Sequence, residues 1–221
     1  MAVNDGILER NPAELLHTPR GKITEKRTLT PQQATLALAA LGLRERLIVK
    51  LAGICGMRPG EIIALQWRDI AETSLNVQRR MCRGKIDTPK THHSSRAVAF
   101  PKSVVEDIKD WREGSRNTLP DAWVFPSENG KTPLWANNVW YDHIRPTLAK
   151  LGLAWVNYQV LRRSAVSLLN ADCGADPTII AAQCGHTVDV SLNTYNKVGL
   201  DRQLSAVQKL DNALQTKNHA A

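Results

Sequence analysis

Gly56-Met57-Arg58-Pro59-Gly60-Glu61-Ile62-Ile63-Ala64-Leu65-Gln66-Trp67-Arg68-Asp69-Ile70 is the stretch on which the reading of the chain turns. Glycines on either side of an Arg-Pro pair make a sharp turn, and Glu61 to Trp67 then reads as a short helix. Upstream the chain is helical. Thr30-Pro31-Gln32-Gln33 offers a Thr cap, Pro in the first turn and Gln at the capping-box position, opening an Ala/Leu-rich helix to Leu41 that stops at Gly42. A second helix runs from about Arg44 to Ile54, with Leu47, Ile48, Leu51 and Ile54 on one face. Downstream, from about Ser74, the pattern changes. Leu75, Val77, Ile86 and the run Arg96 to Phe100 predict two or three short strands, with turns at Arg83-Gly84 and His92–Ser95. Helices return over Ser103–Arg112, Trp135–Leu151, Gln159–Ala171, Pro177–Cys184 and an amphipathic Asp201–Leu214. The fold class is therefore α+β, mainly α-helical with a small three-stranded antiparallel sheet.

Composition bounds what such a chain does. At 221 residues, 43% hydrophobic and 23% charged, it is long enough to bury a core of its own. It contains no apolar run long enough to cross a membrane, and Met1–Arg10 lacks the apolar stretch of a signal peptide, which predicts a cytoplasmic protein. Cys55, Cys82, Cys173 and Cys184 show no CxxC spacing and read as reduced, mostly buried thiols. The charge is +8. Between Arg79 and Lys102 lie seven cations (Arg79, Arg80, Arg83, Lys85, Lys90, Arg96, Lys102) against Asp87 alone. A basic segment of this kind suits a polyanion, nucleic acid first, or forms a solvated basic surface.

Nucleotide-binding glycine loops and an HExxH zinc motif are absent, and no carboxylate cluster suggests a two-metal nuclease. Phosphate chemistry here would rest on cations and a protein nucleophile. Arg58, in a tight turn at a helix mouth, is placed either to clamp a phosphate bidentately or to decorate a surface turn. Leu161-Arg162-Arg163-Ser164 opens an amphipathic helix; adjacent arginines there point about 100° apart, so one at most faces a given site. Gln183-Cys184-Gly185-His186 joins a helix to a polar segment holding Tyr195, which is a half-buried packing residue or a phenol nucleophile. Tyr141, among Trp135 and Trp140, reads as packing, and Tyr158 lies too close to the second arginine pair to swing freely. His92 and His93 read as turn residues.

Taken together these strings resemble the tyrosine recombinases of the phage integrase family. Gly56–Glu61 followed by Ala64–Ile70 is similar to the family's first arginine box. Thr88-Pro89-Lys90-Thr91 before Ser95-Arg96-Ala97-Val98 resembles its sheet lysine. Leu161–Ser164, Cys184-Gly185-His186 and Tyr195 resemble its second arginine box, its Gly-His step and its nucleophile, in order. Where the family usually has His, three residues before the second arginine, this chain has Gln159, which cannot accept a proton at neutral pH.

The resemblance implies a catalytic-domain fold over residues 30–198, a remnant of a core-binding domain and linker over 1–29, and a C-terminal tail helix over 199–221. It implies DNA strand cleavage and rejoining through a 3′-phosphotyrosyl intermediate, without metal or cofactor. Tyr195 would attack, Arg58 and Arg162 would hold the phosphate oxygens, His186 would donate to them, Lys90 would protonate the leaving oxygen, and Gln159 would take the histidine's place. Glu61 would orient Arg58. Arg79, Arg80, Arg83, Lys85 and Arg96 would contact the backbone of double-stranded DNA. Leu204, Val207, Leu210 and Leu214 would pack the tail helix on its own domain or dock it into a neighbouring protomer of a tetramer. The same boxes would also serve a topoisomerase, or a DNA-binding remnant of an integrase that no longer cuts.

Overall fold

The computed structural model describes residues 26–87, 95–171 and 173–188, together with Gly6, Glu9, Arg10 and Pro12. Lys90, His92, His93, Tyr195 and the tail helix lie outside the described residues.

Two helices start the domain. Helix α1 (Pro31–Ala40) opens on the reciprocal box expected of it, with the Thr30 hydroxyl taking the Gln33 N–H and the Gln33 side chain taking the Thr30 N–H. Helix α2 (Leu43–Gly53) is the centre of the core, with Leu47, Ile48, Leu51 and Ala52 fully enclosed. Burying each large aliphatic contributes about 1.5–3 kcal/mol. Helix α7 (Tyr158–Ala171) packs along α2 through Leu161. Arg46 grips Asp107 with two bonds of 3.0 and 2.9 Å, and Lys50 adds a third contact at 2.8 Å, so α2 is also tied to α4 (Lys102–Glu113).

Helix α3 is shorter than its sequence predicts. It spans Pro59–Ile63, after which the chain straightens at Gln66 and makes a 3-10 turn at Trp67–Asp69. The Asp69 carboxylate takes the Gln66 N–H at 2.8 Å, and Gln66 pairs with Trp123. This break is what turns Trp67 into the core.

The strands are β1 (Ser74–Val77), β2 (Arg80–Cys82), β3 (Lys85–Asp87) and β4 (Arg96–Ala99). They pair as two antiparallel two-stranded ribbons, β1 with β4 and β2 with β3, rather than as one three-stranded sheet. Gln78 and Arg79 interrupt the ladder, because Arg79 leaves it to pair with buried Asp69 at 2.5 Å. The β2–β3 turn is Arg83-Gly84, both with positive φ, as a tight hairpin requires. The remaining helices are α5 (Ala136–Val139), a π-helical turn over Trp140–Ile144, α6 (Arg145–Lys150) and α8 (Pro177–Cys184), all within ranges legible in the sequence. No described helix is long and apolar enough to cross a membrane.

Candidate active site

Arg58 caps α3 in extended conformation, so its side chain leaves the turn instead of continuing the helix. Glu61, one turn on, folds back. Its Oε2 accepts the Arg58 backbone N–H at 3.0 Å and its Oε1 accepts the Arg58 guanidinium at 2.8 Å. The Arg58 side chain stays 41% exposed while that of Glu61 is 4% exposed. Burial alone would raise the Glu61 carboxyl, but the bonds and charge of Arg96, then Arg58, carry it below its ordinary value.

The site closes at the end of α8. A helix leaves its last carbonyls without N–H partners, and these carry the negative end of its dipole. Here three consecutive carbonyls each accept from a different arginine. Gln183 O takes Arg96 Nε at 3.0 Å, Cys184 O takes Arg162 Nη2 at 2.6 Å, and Gly185 O takes Arg58 Nη2 at 2.7 Å. Arg162 also donates to the Gly56 carbonyl, in the turn that carries Arg58. His186 follows directly on the last of these carbonyls. Gly185 makes this possible. It sits at φ +68°, and a Cβ there would lie 2.6 Å from Arg96 Nη1, so the guanidinium needs the bare glycine face.

Burial pushes the Arg162 guanidinium down to about 10, and the charge of Arg58 beside it acts the same way. Burial likewise lowers the His186 imidazole. The contact of Nδ1 with the Thr187 carbonyl at 3.2 Å opposes this, while the charges of Arg162, Arg58 and Arg96 reinforce it. Cys55 and Cys184 lie buried behind the arginines, and burial raises both thiols, Cys55 to about 12. Cys82 and Cys173 are exposed, so two of the four cysteines are buried rather than most of them.

Gln159 is exposed on α7, one turn before Arg162 and on the same face. Arg163 turns away and donates to the Arg27 carbonyl at 3.2 Å, beside the Ser164 hydroxyl that takes the Leu29 N–H at 2.8 Å. Those two bonds tie the segment before α1 onto the helix that carries Arg162.

The basic residues of the hairpin region divide. Arg83 and Lys85 are exposed at the turn, where the Trp135 ring packs against Gly84. Arg79 is held by Asp69, and Arg80 reaches Asp87 at 3.3 Å. Arg96 is not a surface cation at all: its side chain is 7% exposed and ion-paired to Glu61 at 3.0 Å. Arg96 shares its strand face with Val98, which is fully buried, so the alternation along β4 carried that signal. Gln183 was also missed as a structural residue. Its amide pairs with both backbone groups of Ala99, at 3.1 and 3.0 Å, clipping α8 to the free edge of β4.

The other tyrosines separate as well. Tyr158 is partly buried against Trp140, ring centroids 4.6 Å apart, and donates to the Ala136 carbonyl; burial raises its phenol. Tyr141 is not a packing residue: it is 60% exposed, because the π-helical turn directs Trp140 inward in its place.

The phage integrase family profile matches residues 27–201. The XerC-like tyrosine recombinase of Caldanaerobacter subterraneus subsp. tengcongensis is 26% identical over 95% of this chain, and the ICEBs1 integrase of Bacillus subtilis 25% over 96%. The chain spans 62% of the length of each. Among solved structures, the Tn1549 transposon integrase in complex with a circular intermediate DNA superposes with a TM-score of 0.74 at 19% identity, over 95% of this chain and 74% of that one. The XerA recombinase gives 0.64 at 20% identity, over 87% and 66%. At these identities the structures establish a shared fold.

Proposed function

From a chain that belongs to the phage integrase family of tyrosine recombinases, we propose a site-specific recombinase catalytic domain that cleaves and rejoins double-stranded DNA through a 3′-phosphotyrosyl intermediate. The observation that carries the reading is the convergence of Arg58 and Arg162, from separate elements, on the adjacent carbonyls of Gly185 and Cys184. Two guanidiniums held side by side, each with donors to spare, suit the two non-bridging oxygens of one phosphodiester.

In this reading the Tyr195 oxygen attacks the scissile phosphorus. A phosphorus–oxygen bond forms to the phenol and the bond to the 5′ oxygen breaks. The phenol's proton passes to water, since Gln159 cannot take it. Lys90 gives a proton to the departing 5′ oxygen. Arg58 and Arg162 stabilise the charge that builds on phosphorus, and His186 donates a further N–H. Glu61 keeps Arg58 aimed. The ester bond is conserved in the phosphotyrosine, so attack by a 5′ hydroxyl of another strand reseals DNA by the same steps in reverse.

The exposed Arg83 and Lys85, with Arg80 beside them, would meet backbone phosphates and fix register without reading sequence. Residues 30–198 form the catalytic domain and 1–29 the end of a core-binding domain and its linker. The tail at 199–221 docks into a neighbouring protomer, building a tetramer on DNA in the cytoplasm. The test is a nicked suicide duplex, with mass spectrometry of the trapped peptide. An adduct on Tyr195 is expected. An adduct on Tyr141 or Tyr158 overturns the mechanism, and relaxation of one DNA with no exchange between two assigns a topoisomerase instead.

A further inference from the structure

Arg96 is a third guanidinium in a site whose proposed chemistry uses two. Its side chain is buried, and it bonds to the machinery of the site. Nη2 and Nη1 reach Glu61 Oε2 and Oε1 at 3.0 and 3.3 Å, and Nε reaches the Gln183 carbonyl at 3.0 Å. Arg58 holds the same two carboxylate oxygens through its guanidinium and its backbone N–H. Glu61 is thus gripped from two sides, and the far grip is anchored to α8 and to β4.

We propose that Arg96 is a positioning residue for strand cleavage, acting on the phosphate through Glu61 and Arg58. The proposal rests on the recombinase reading above.

Two physical effects carry it. The first is geometric. Glu61 alone would follow Arg58 wherever that exposed side chain went. With Arg96 on the other side, Glu61 is fixed to the end of α8, and Arg58 is fixed to Glu61. The Gln183 amide pairing with Ala99 keeps β4, and Arg96 with it, from sliding along α8.

The second effect is charge. Arg58, Arg96 and Arg162 carry three positive charges and Glu61 carries one negative, leaving +2. A phosphodiester brings one negative charge and an incoming phenolate another, so the site matches the attacked phosphate. Without Arg96 the sum falls to +1, and the buried Glu61 carboxylate draws fully on Arg58. In a site of low dielectric, that loss is felt where charge develops.

The test compares wild type with R96A and R96K on a nicked suicide duplex. At saturating DNA, R96A is expected to form the covalent adduct about tenfold or more slowly, a smaller loss than removal of a direct transition-state donor brings. Its DNA affinity should stay within about threefold, and the slope of affinity against salt should not change, since a phosphate contact would be worth about 0.9 of slope. Guanidinium ion should restore part of the R96A rate and leave wild type unaffected. R96K restores the charge without the fork that bridges Glu61 and the Gln183 carbonyl, and should fall between the two.

A wild-type rate in R96A overturns the proposal, and so does a drop in salt slope, which would make Arg96 a DNA contact. If R96A does not fold, R96K carries the comparison: a rate loss at unchanged affinity supports the role, and none overturns it. If wild type itself forms no adduct, the recombinase reading fails separately. Affinity for inorganic vanadate then decides Arg96, about tenfold weakening in the variant supporting it and equal affinity overturning it.

Discussion

Arg58 donates from Nη2 to the carbonyl of Gly185 at 2.7 Å, and the peptide that begins with that carbonyl carries the N–H of His186. The first arginine box and the Gly-His step, 127 residues apart, are one hydrogen-bonded unit.

Arg58→Ala removes a proposed transition-state donor and one of the three arginine bonds to the end of α8. Single-turnover adduct formation is expected to fall a hundredfold or more, about 3 kcal/mol. DNA affinity should change far less. Equal losses in rate and affinity would instead make Arg58 a binding contact.

Arg162 and Arg163 are neighbours with opposite fates. Arg162→Ala should lose cleavage as severely as Arg58→Ala. Arg163→Ala loses an exposed bond to the Arg27 carbonyl, costing about 0.5 kcal/mol of stability with cleavage retained. Thermal melts and suicide-substrate assays on both variants check this. An inactive, stably folded Arg163→Ala variant would refute it.

This pair shows what the sequence made legible. Helical geometry stated that only one of the two arginines faces the site, and the glycine-flanked turn, the capping box and the limits of α7 and α8 were all readable from local chemistry. Tertiary partners were not. Arg79 and Arg96 read in the sequence as surface cations because their carboxylates, Asp69 and Glu61, lie 10 and 35 residues away. Nor does local propensity reveal that α3 ends at Ile63, since Asp69 and Trp123 capture Gln66 from outside the helix.

The division of the basic hairpin region predicts a division of effects. Arg83→Ala and Lys85→Ala should each lower the slope of log affinity against log salt by about 0.9 and leave stability alone. Arg79→Ala strands the Asp69 carboxylate, almost wholly buried, and should cost about 3–5 kcal/mol in denaturant melts. A salt-slope effect from Arg79→Ala in a stable protein would move that residue to the DNA face.

Gly60 lies so close to β2 that a Cβ would sit 2.4 Å from the Met81 backbone carbonyl. Gly60→Ala therefore forces the hairpin off α3 while Arg58 and Glu61 keep their identities. Cleavage should fall about tenfold or more through displacement of the hairpin, in keeping with the steep cost of small misplacements. Affinity for vanadate, which needs only the arginines, should hold. A variant that cleaves normally would show that the hairpin does not need this seat.

His186 gives the site its pH dependence. Its imidazole sits below the ordinary 6.5, from burial first and from the three arginines as well. A folded value below the unfolded one means the unfolded chain takes the proton first as pH falls. The stability that the neutral ring contributes is whole above 6.5 and is lost as pH drops through the folded value. Wild type should thus lose melting temperature faster than His186→Gln as pH falls below about 6.5, since glutamine can donate an N–H but does not titrate. An oxyanion seated between Arg58 and Arg162 offsets their charge, eases protonation of His186, and should bring the two curves together at high sulfate. Parallel curves without sulfate would mean that the ring titrates freely, and that the arginine fan does not reach it.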